Sequence, residues 1–246
     1  MKSIILKSLV LLIVAASCTS AKTVAKKING TETLSSKEQS LVTIAALTAN
    51  GDLTKLANAL HAGLDAGLTI NEIKEAIVHA YAYCGFPRSI RGLQTFMTVL
   101  DDRKAKGIND VIGKEPSPIS NEGSKYERGK KVLAELTKAP QPAALTGYGA
   151  FAPVIDTFLK EHLFADIFER DVLTYAQREL VTISIISSIG GAEPMLRSHL
   201  LICLNVGITP DQLNHFVSII EPAVGKEKAD AASAVVKEVL QSRSKK

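Results

Sequence analysis

The 246-residue chain has no tryptophan, and only 5% of it is aromatic. Because 46% of it is nevertheless hydrophobic, its core must be built from Leu, Ile, Val and Ala, and the length suits one or two domains. Charged residues make up 22%, which excludes a disordered, highly charged polymer. Cysteine is scarce: no two of Cys18, Cys84 and Cys203 stand at CxxC spacing, so neither a zinc site nor a redox dithiol is written here. Whether Cys84 and Cys203 pair depends on a proximity that spacing does not supply. The chain also lacks a dense run of Lys and Arg, and the SRSKK tail reads as a solvated end, so no nucleic-acid partner is expected. Nucleophilic triads, phosphate-cradling glycine loops and metal-ligand spacings are absent too. No metal site is expected.

The N-terminus reads as a targeting segment. MKSIILK is basic, and SLVLLIVAAS is apolar but too short to span a bilayer. A signal is expected over residues 1–21, with two ways of ending it. Val14-Ala15-Ala16-Ser17-Cys18 is similar to the lipobox of bacterial lipoproteins, which would lipidate Cys18. Thr19-Ser20-Ala21 would suit ordinary signal peptidase. The first is preferred, because a cysteine at that place otherwise has no explanation. Residues 22–33 then form a polar tether, and the protein is expected to be exported, as a periplasmic or membrane-anchored lipoprotein of a bacterium. Loss of Lys2 and Lys7 leaves 27 basic against 25 acidic residues, so the mature chain is close to neutral.

What the chain does contain, it contains twice. LSSKEQSLVTIAAL (Leu34 to Leu47) returns as LTYAQRELVTISII (Leu173 to Ile186), and LDAGLTINEI (Leu64 to Ile73) returns as LNVGITPDQL (Leu204 to Leu213). The offset is 139 residues in the first pair and 140 in the second. So long a period means a duplicated domain rather than a solenoid. Its patterning is helical. Ser35 with Glu38, and Thr69 with Glu72, form capping boxes, and Thr174 is a third N-cap. Gly67, Gly190-Gly191 and Gly207 read as helix stops; Gly85-Phe86-Pro87 is another, and Pro222 is expected to end a helix. No alternating strand pattern appears. The expectation is an all-α protein of roughly ten to twelve helices, with a first repeat over 34–107, a linker and connecting helix over 108–150, and a second repeat over 151–241.

Chemistry must come from the few ionisable residues set into these apolar helices: His61, Glu75, His79, Tyr81 and Tyr83 in the first repeat; Arg178, Glu179, Glu193, Arg197 and His199 in the second. On spacing alone, Glu179 is as well explained by the favourable field of a helix N-terminus as by catalysis. His199 stands beside the core stripe of Leu196, Leu200, Cys203 and Leu204.

Taken in order, RELVTI, GGAEPMLRSH and LNVGIT, together with LDAGLTINEIKEAIVHAYAYCGFPRS in the first half, resemble the carboxymuconolactone decarboxylase family, whose wider fold includes alkylhydroperoxidase D. The resemblance spans both repeats. It implies an all-helical oligomer with sites between helices, and the family's Glu and His fall on Glu179 and His199. In the first repeat the same positions hold Ser40 and Ala59. Conversely, His79, Tyr83, Gly85 and Pro87 match the family in repeat one, whereas their counterparts, starting at Ile219, keep only Gly225. Each repeat has kept a different half, and the expectation is one composite site per pair of repeats, of Glu179 and His199 with His79 or Tyr83, within one chain or across subunits. Arg178, Arg197 and Tyr81 are candidate substrate-binding residues, since a guanidinium grips a carboxylate in a fork.

The peroxidase branch carries a CxxC pair where this chain has Gly191 and Pro194, so disulfide chemistry of that kind is disfavoured. The resemblance therefore implies a cofactor-independent, decarboxylase-like enzyme for a small organic acid or lactone. Thiol-dependent peroxide reduction and a non-catalytic envelope binding protein remain as alternatives.

Overall fold

The structure is a computed structural model and describes residues 33–119 and 122–244. The expected signal, Cys18 and all of the tether before Thr33 lie outside the described residues. Those residues form ten α-helices and one π-helical segment, with no strand among them: α1 (Ser36–Asn50), α2 (Leu53–Asp65), α3 (Ile70–Ala105), α4 (Lys125–Thr137), α5 (Gly147–Phe151), α6 (Pro153–Phe158), the π-segment (Leu159–Ile167), α7 (Tyr175–Ile189), α8 (Glu193–Asn205), α9 (Pro210–Val224) and α10 (Lys226–Ser244). The all-α architecture is as the sequence implies.

The duplication is visible in the backbone. α1, α2 and α3 correspond to α7, α8 and the α9–α10 pair, because α3 is two helices meeting at Gly85. That glycine has φ 81° and ψ 160°, and its counterpart Gly225, between α9 and α10, has φ 84° and ψ 161°. Only glycine tolerates this region, so both halves turn at the same place with the same residue. Capping boxes start α1 at Ser35 and α3 at Thr69. They recur at Thr174 with Gln177 for α7 and at Thr209 with Gln212 for α9. One boundary differs from expectation. Pro222 does not end α9, which runs on to Val224; a proline lacks only its own N–H and is tolerated where the packing holds the turn.

α1 and α7, the two LVTI helices, pack against each other at the centre. Both are buried nearly all round, as befits helices with apolar residues on every face. The halves exchange core residues. Leu173, Val181, Ile185 and Ala223 join the first repeat's core, and Leu34 and Val42 join the second's. Ser188 Oγ donates to the Ala46 carbonyl at 2.8 Å, and Asn50 Nδ2 to the Ala223 carbonyl at 2.8 Å. The two repeats are thus one folding unit.

A third cluster, with Leu136, Phe164, Phe168 and Ile202, joins α4, the π-segment and α8. Here α4 meets the π-segment at very close range: a Cβ on Gly129 would sit 1.8 Å from the Lys160 carbonyl oxygen. No helix among the described residues is long and apolar enough to cross a membrane.

Candidate active site

Three helices bring the two halves' polar residues together. α7 contributes Arg178, Glu179 and Thr182 from its first turns, α8 contributes His199, and the N-terminal part of α3 contributes Glu75, His79 and Tyr83. Glu179 is fully buried, and its Oε2 lies 2.8 Å from His199 Nδ1. The other oxygen, Oε1, is buried without a partner among the described residues. His199 is 13% exposed at the side chain. Its edge meets the Tyr83 ring at 5.9 Å between centroids, and Tyr83 in turn stacks on His79 at 5.3 Å. Glu179, His199, His79 and Tyr83 are therefore neighbours within one chain.

Behind them runs a buried charged network. Arg178 is wholly buried and donates from Nη2 to Glu75 Oε2 at 3.1 Å and to the Arg170 carbonyl at 2.6 Å. Its Nη1 lies 3.4 Å from His79 Nδ1. Arg170 grips the same Glu75 bidentately, at 3.0 Å from Nε and 2.5 Å from Nη2 to Oε1. On the far side of His79, Nε2 lies 2.8 Å from Thr182 Oγ1, which is 3.2 Å from the Tyr83 hydroxyl.

Electrostatics follow from burial and these partners. Burial, reinforced by Arg178 and His199, holds His79 well below the ordinary histidine range, so it is neutral. Burial and the Glu179 carboxylate push the Tyr83 phenol far up, only partly opposed by Thr182. Burial alone would raise Glu75, but its bonds to Arg170 and Arg178 outweigh that and hold it below the usual carboxylate value. This network is ionised at one end and neutral at the other.

The remaining expected site residues stand elsewhere. Arg197 points outward and pairs with Glu238 of α10, with 41% of its side chain exposed. Tyr81 faces the π-segment, where its hydroxyl bonds His162 and its ring stacks on Phe86 at 4.7 Å. Arg178 is near the cluster, but the fork expected to hold a substrate carboxylate is occupied by Glu75 and a backbone carbonyl, since a buried guanidinium must find acceptors within the protein.

Gly191 lines a cleft of about 310 Å³ with Ser187, Glu193, Leu196 and Lys228. It lies beyond the C-terminal end of α7 and does not include Glu179 or His199. Sequence reasoning passed over Thr182 and Arg170. Thr182 did leave a signal, a hydroxyl inside the repeated apolar LVTI, but Arg170 lies in the turn between the π-segment and α7, outside any helical pattern.

The structure is a duplicated all-helical bundle whose second repeat holds a buried carboxylate–histidine pair beside α3 of the first. The model of the carboxymuconolactone decarboxylase family matches residues 13–96 and 153–238, and the chain belongs to that family. It is similar to 4-carboxymuconolactone decarboxylase of Acinetobacter baylyi, with 27% identity over 121 residues, covering 49% of this chain and 90% of that protein. One half of this chain thus accounts for nearly all of that relative.

Proposed function

We propose that the protein is a cofactor-independent acid/base enzyme of the decarboxylase type, acting on a small organic acid or lactone at Glu179 and His199. The observation that carries this reading is the 2.8 Å contact between a fully buried Glu179 and His199 Nδ1. The carboxylate accepts the Nδ1 proton and fixes the ring. Nε2, which has no hydrogen-bond partner among the described residues, is left as the working nitrogen. In a substrate whose carboxylate is conjugated through an unsaturated lactone, the carbon–carboxylate bond breaks and CO2 leaves. Its electron pair enters the lactone as an enolate, and a proton from His199 Nε2 then closes the carbon. A solvent proton restores the imidazolium. Glu179 balances the imidazolium, and the apolar walls of α7 and α8 exclude water.

The relative's printed activity suggests the substrate chemistry. The signal-like N-terminus supports a substrate met outside the cytoplasm, and so not 4-carboxymuconolactone itself. A homo-oligomer is part of the proposal, supported by the exposed Tyr148, Phe151, Val154, Ile155 and Phe158 on α5 and α6; a monomeric mass by light scattering would remove that part.

Decarboxylation and solvent-deuterium uptake by a panel of lactone acids, with 4-carboxymuconolactone as the comparison compound, test the reading. Activity lost in His199→Gln with an unchanged melting temperature supports it. Activity retained in that variant refutes it. Ligand-induced thermal shifts without turnover by the wild type would favour a binding protein instead.

A further inference from the structure

The contacts around Tyr83 have a direction, which follows from what each group can donate. Arg178 has only donors, so in its contact with His79 the Nδ1 atom must accept. A neutral imidazole that accepts at Nδ1 carries its proton at Nε2, and that proton goes to Thr182 Oγ1 at 2.8 Å. Thr182 is fully buried. Its own proton needs an acceptor, and the Tyr83 oxygen at 3.2 Å is the one in reach. Tyr83 Oη therefore receives a hydrogen bond from Thr182, which leaves its own O–H free to point away from Thr182. Tyr83 is partly exposed, and its ring meets the edge of His199.

We infer that Thr182, backed by His79 and Arg178, is a positioning residue that presents the Tyr83 O–H as the hydrogen-bond donor for an oxyanion formed beside His199. This rests on the reading that the chemistry takes place at Glu179 and His199. It narrows the substrate to compounds whose carbonyl oxygen takes up charge as the reaction proceeds, such as a lactone passing through its enolate. A phenol that stays protonated suits that work, because it donates without ionising.

The duplication supplies an internal control. Thr43 occupies the position of Thr182 in the first LVTI, and it makes the ordinary helical contact, from Oγ1 to the Gln39 carbonyl four residues back at 3.0 Å. The places of His79 and Tyr83 are taken there by Ile219 and Ala223, and that of Arg178 by Gln39. The equivalent packing of α1 against α9 therefore forms without a relay. The relay is not something the fold requires, and it occurs only where α3 packs against α7, beside Glu179 and His199.

Two measurements test this. The first needs no substrate: long-range proton–nitrogen NMR on protein labelled with 15N-histidine, with His79 assigned through His79→Gln. His79 should show a protonated Nε2 and a bare Nδ1 around neutral pH. The opposite tautomer would overturn the relay, whatever the enzyme's activity. The second uses the deuterium-uptake assay with the lactone that the wild type turns over best. Tyr83→Phe should lower kcat by about 100-fold, in the range for loss of one oxyanion donor. Thr182→Val should lower kcat by at least about 10-fold with KM little changed, Thr182→Ser should restore it, and Thr182→Val with Tyr83→Phe should be no worse than Tyr83→Phe alone. Multiplying effects, or a Thr182→Val variant that keeps full kcat, would refute the inference. Failure of the acid/base reading is told apart by His199→Gln, which leaves the His79 tautomer unchanged.

Discussion

Replacing Glu75 with alanine should be among the most damaging single changes in this protein, although Glu75 does not touch the Glu179–His199 pair. Arg178 is wholly buried, and its only carboxylate partner among the described residues is Glu75, at 3.1 Å. The Coulomb attraction at that separation is about 5 kcal/mol for an effective dielectric near 20. Not all of it is lost on substitution, because removing Glu75 also removes that carboxylate's own desolvation cost. What remains is a buried guanidinium held by one backbone carbonyl and a long contact to His79, with its Nε already unpaired. Breaking a buried pair in this way costs about 3–5 kcal/mol. Arg170, 34% exposed at the side chain, can swing into water and adds little. For a domain of this size the loss corresponds to a fall of roughly 10 °C in Tm. Urea and thermal unfolding at neutral pH would measure it, and the effect should persist in high salt, since buried charges are poorly screened. Glu75→Ala combined with Arg178→Leu should recover much of the stability, because the stranded charge is then gone. A Glu75→Ala protein within about 1 kcal/mol of wild type, or a double variant no better than the single, would refute the argument.

Stability should decline in acid along a slope set partly by His79. Its folded-state pKa lies well below the ordinary 6.5, so below that pH the unfolded chain binds a proton that the folded one refuses, at up to about 1.4 kcal/mol per pH unit. Denaturation midpoints between neutral pH and pH 5 should show a shallower decline in His79→Gln. Glu75, whose pKa is lowered, adds a contribution that is present above the carboxylate range and lost as pH falls through its folded value. Gly129→Ala should destabilise by about 1–3 kcal/mol or more through overpacking, because its Cβ meets backbone rather than a movable side chain; an unchanged urea midpoint would show that α4 shifts freely. The cysteines should react slowly with thiol reagents at neutral pH. Burial pushes Cys84 up to about 11, and burial together with Glu179 pushes Cys203 far up. Prompt sulfenic acid formation in dilute peroxide would instead favour the thiol reading.

How much of this was legible in the sequence depended on how far apart the interacting residues are. The capping boxes at Ser35 and Thr69 are contacts over three residues, and both could be read directly. The asymmetry of the repeats was legible as well, because aligning the halves sets Glu179 against Ser40 and His79 against Ile219. The arginines were not. Arg178 and Arg197 look alike in sequence, each a basic residue on an apolar helix. One is a wholly buried charge near the site and the other an exposed partner of Glu238. What separates them is the helix face each occupies and which elements cover it. Pro222 shows the same limit on a smaller scale, since packing carries α9 past a residue that usually ends a helix.

The sequence by itself determined the helices, their caps, the glycines on which both halves turn, and the different polar residues each half keeps, because each of these is local periodicity or a comparison of the chain with itself. Only the tertiary structure decided that the two halves meet within one molecule, with α3 of the first repeat set against α7 and α8 of the second. The contact joining Thr182 to His79 spans 103 residues of chain, and that joining it to Tyr83 spans 99. Contacts at that range are set by how buried helices pack, and no local pattern of residues encodes them.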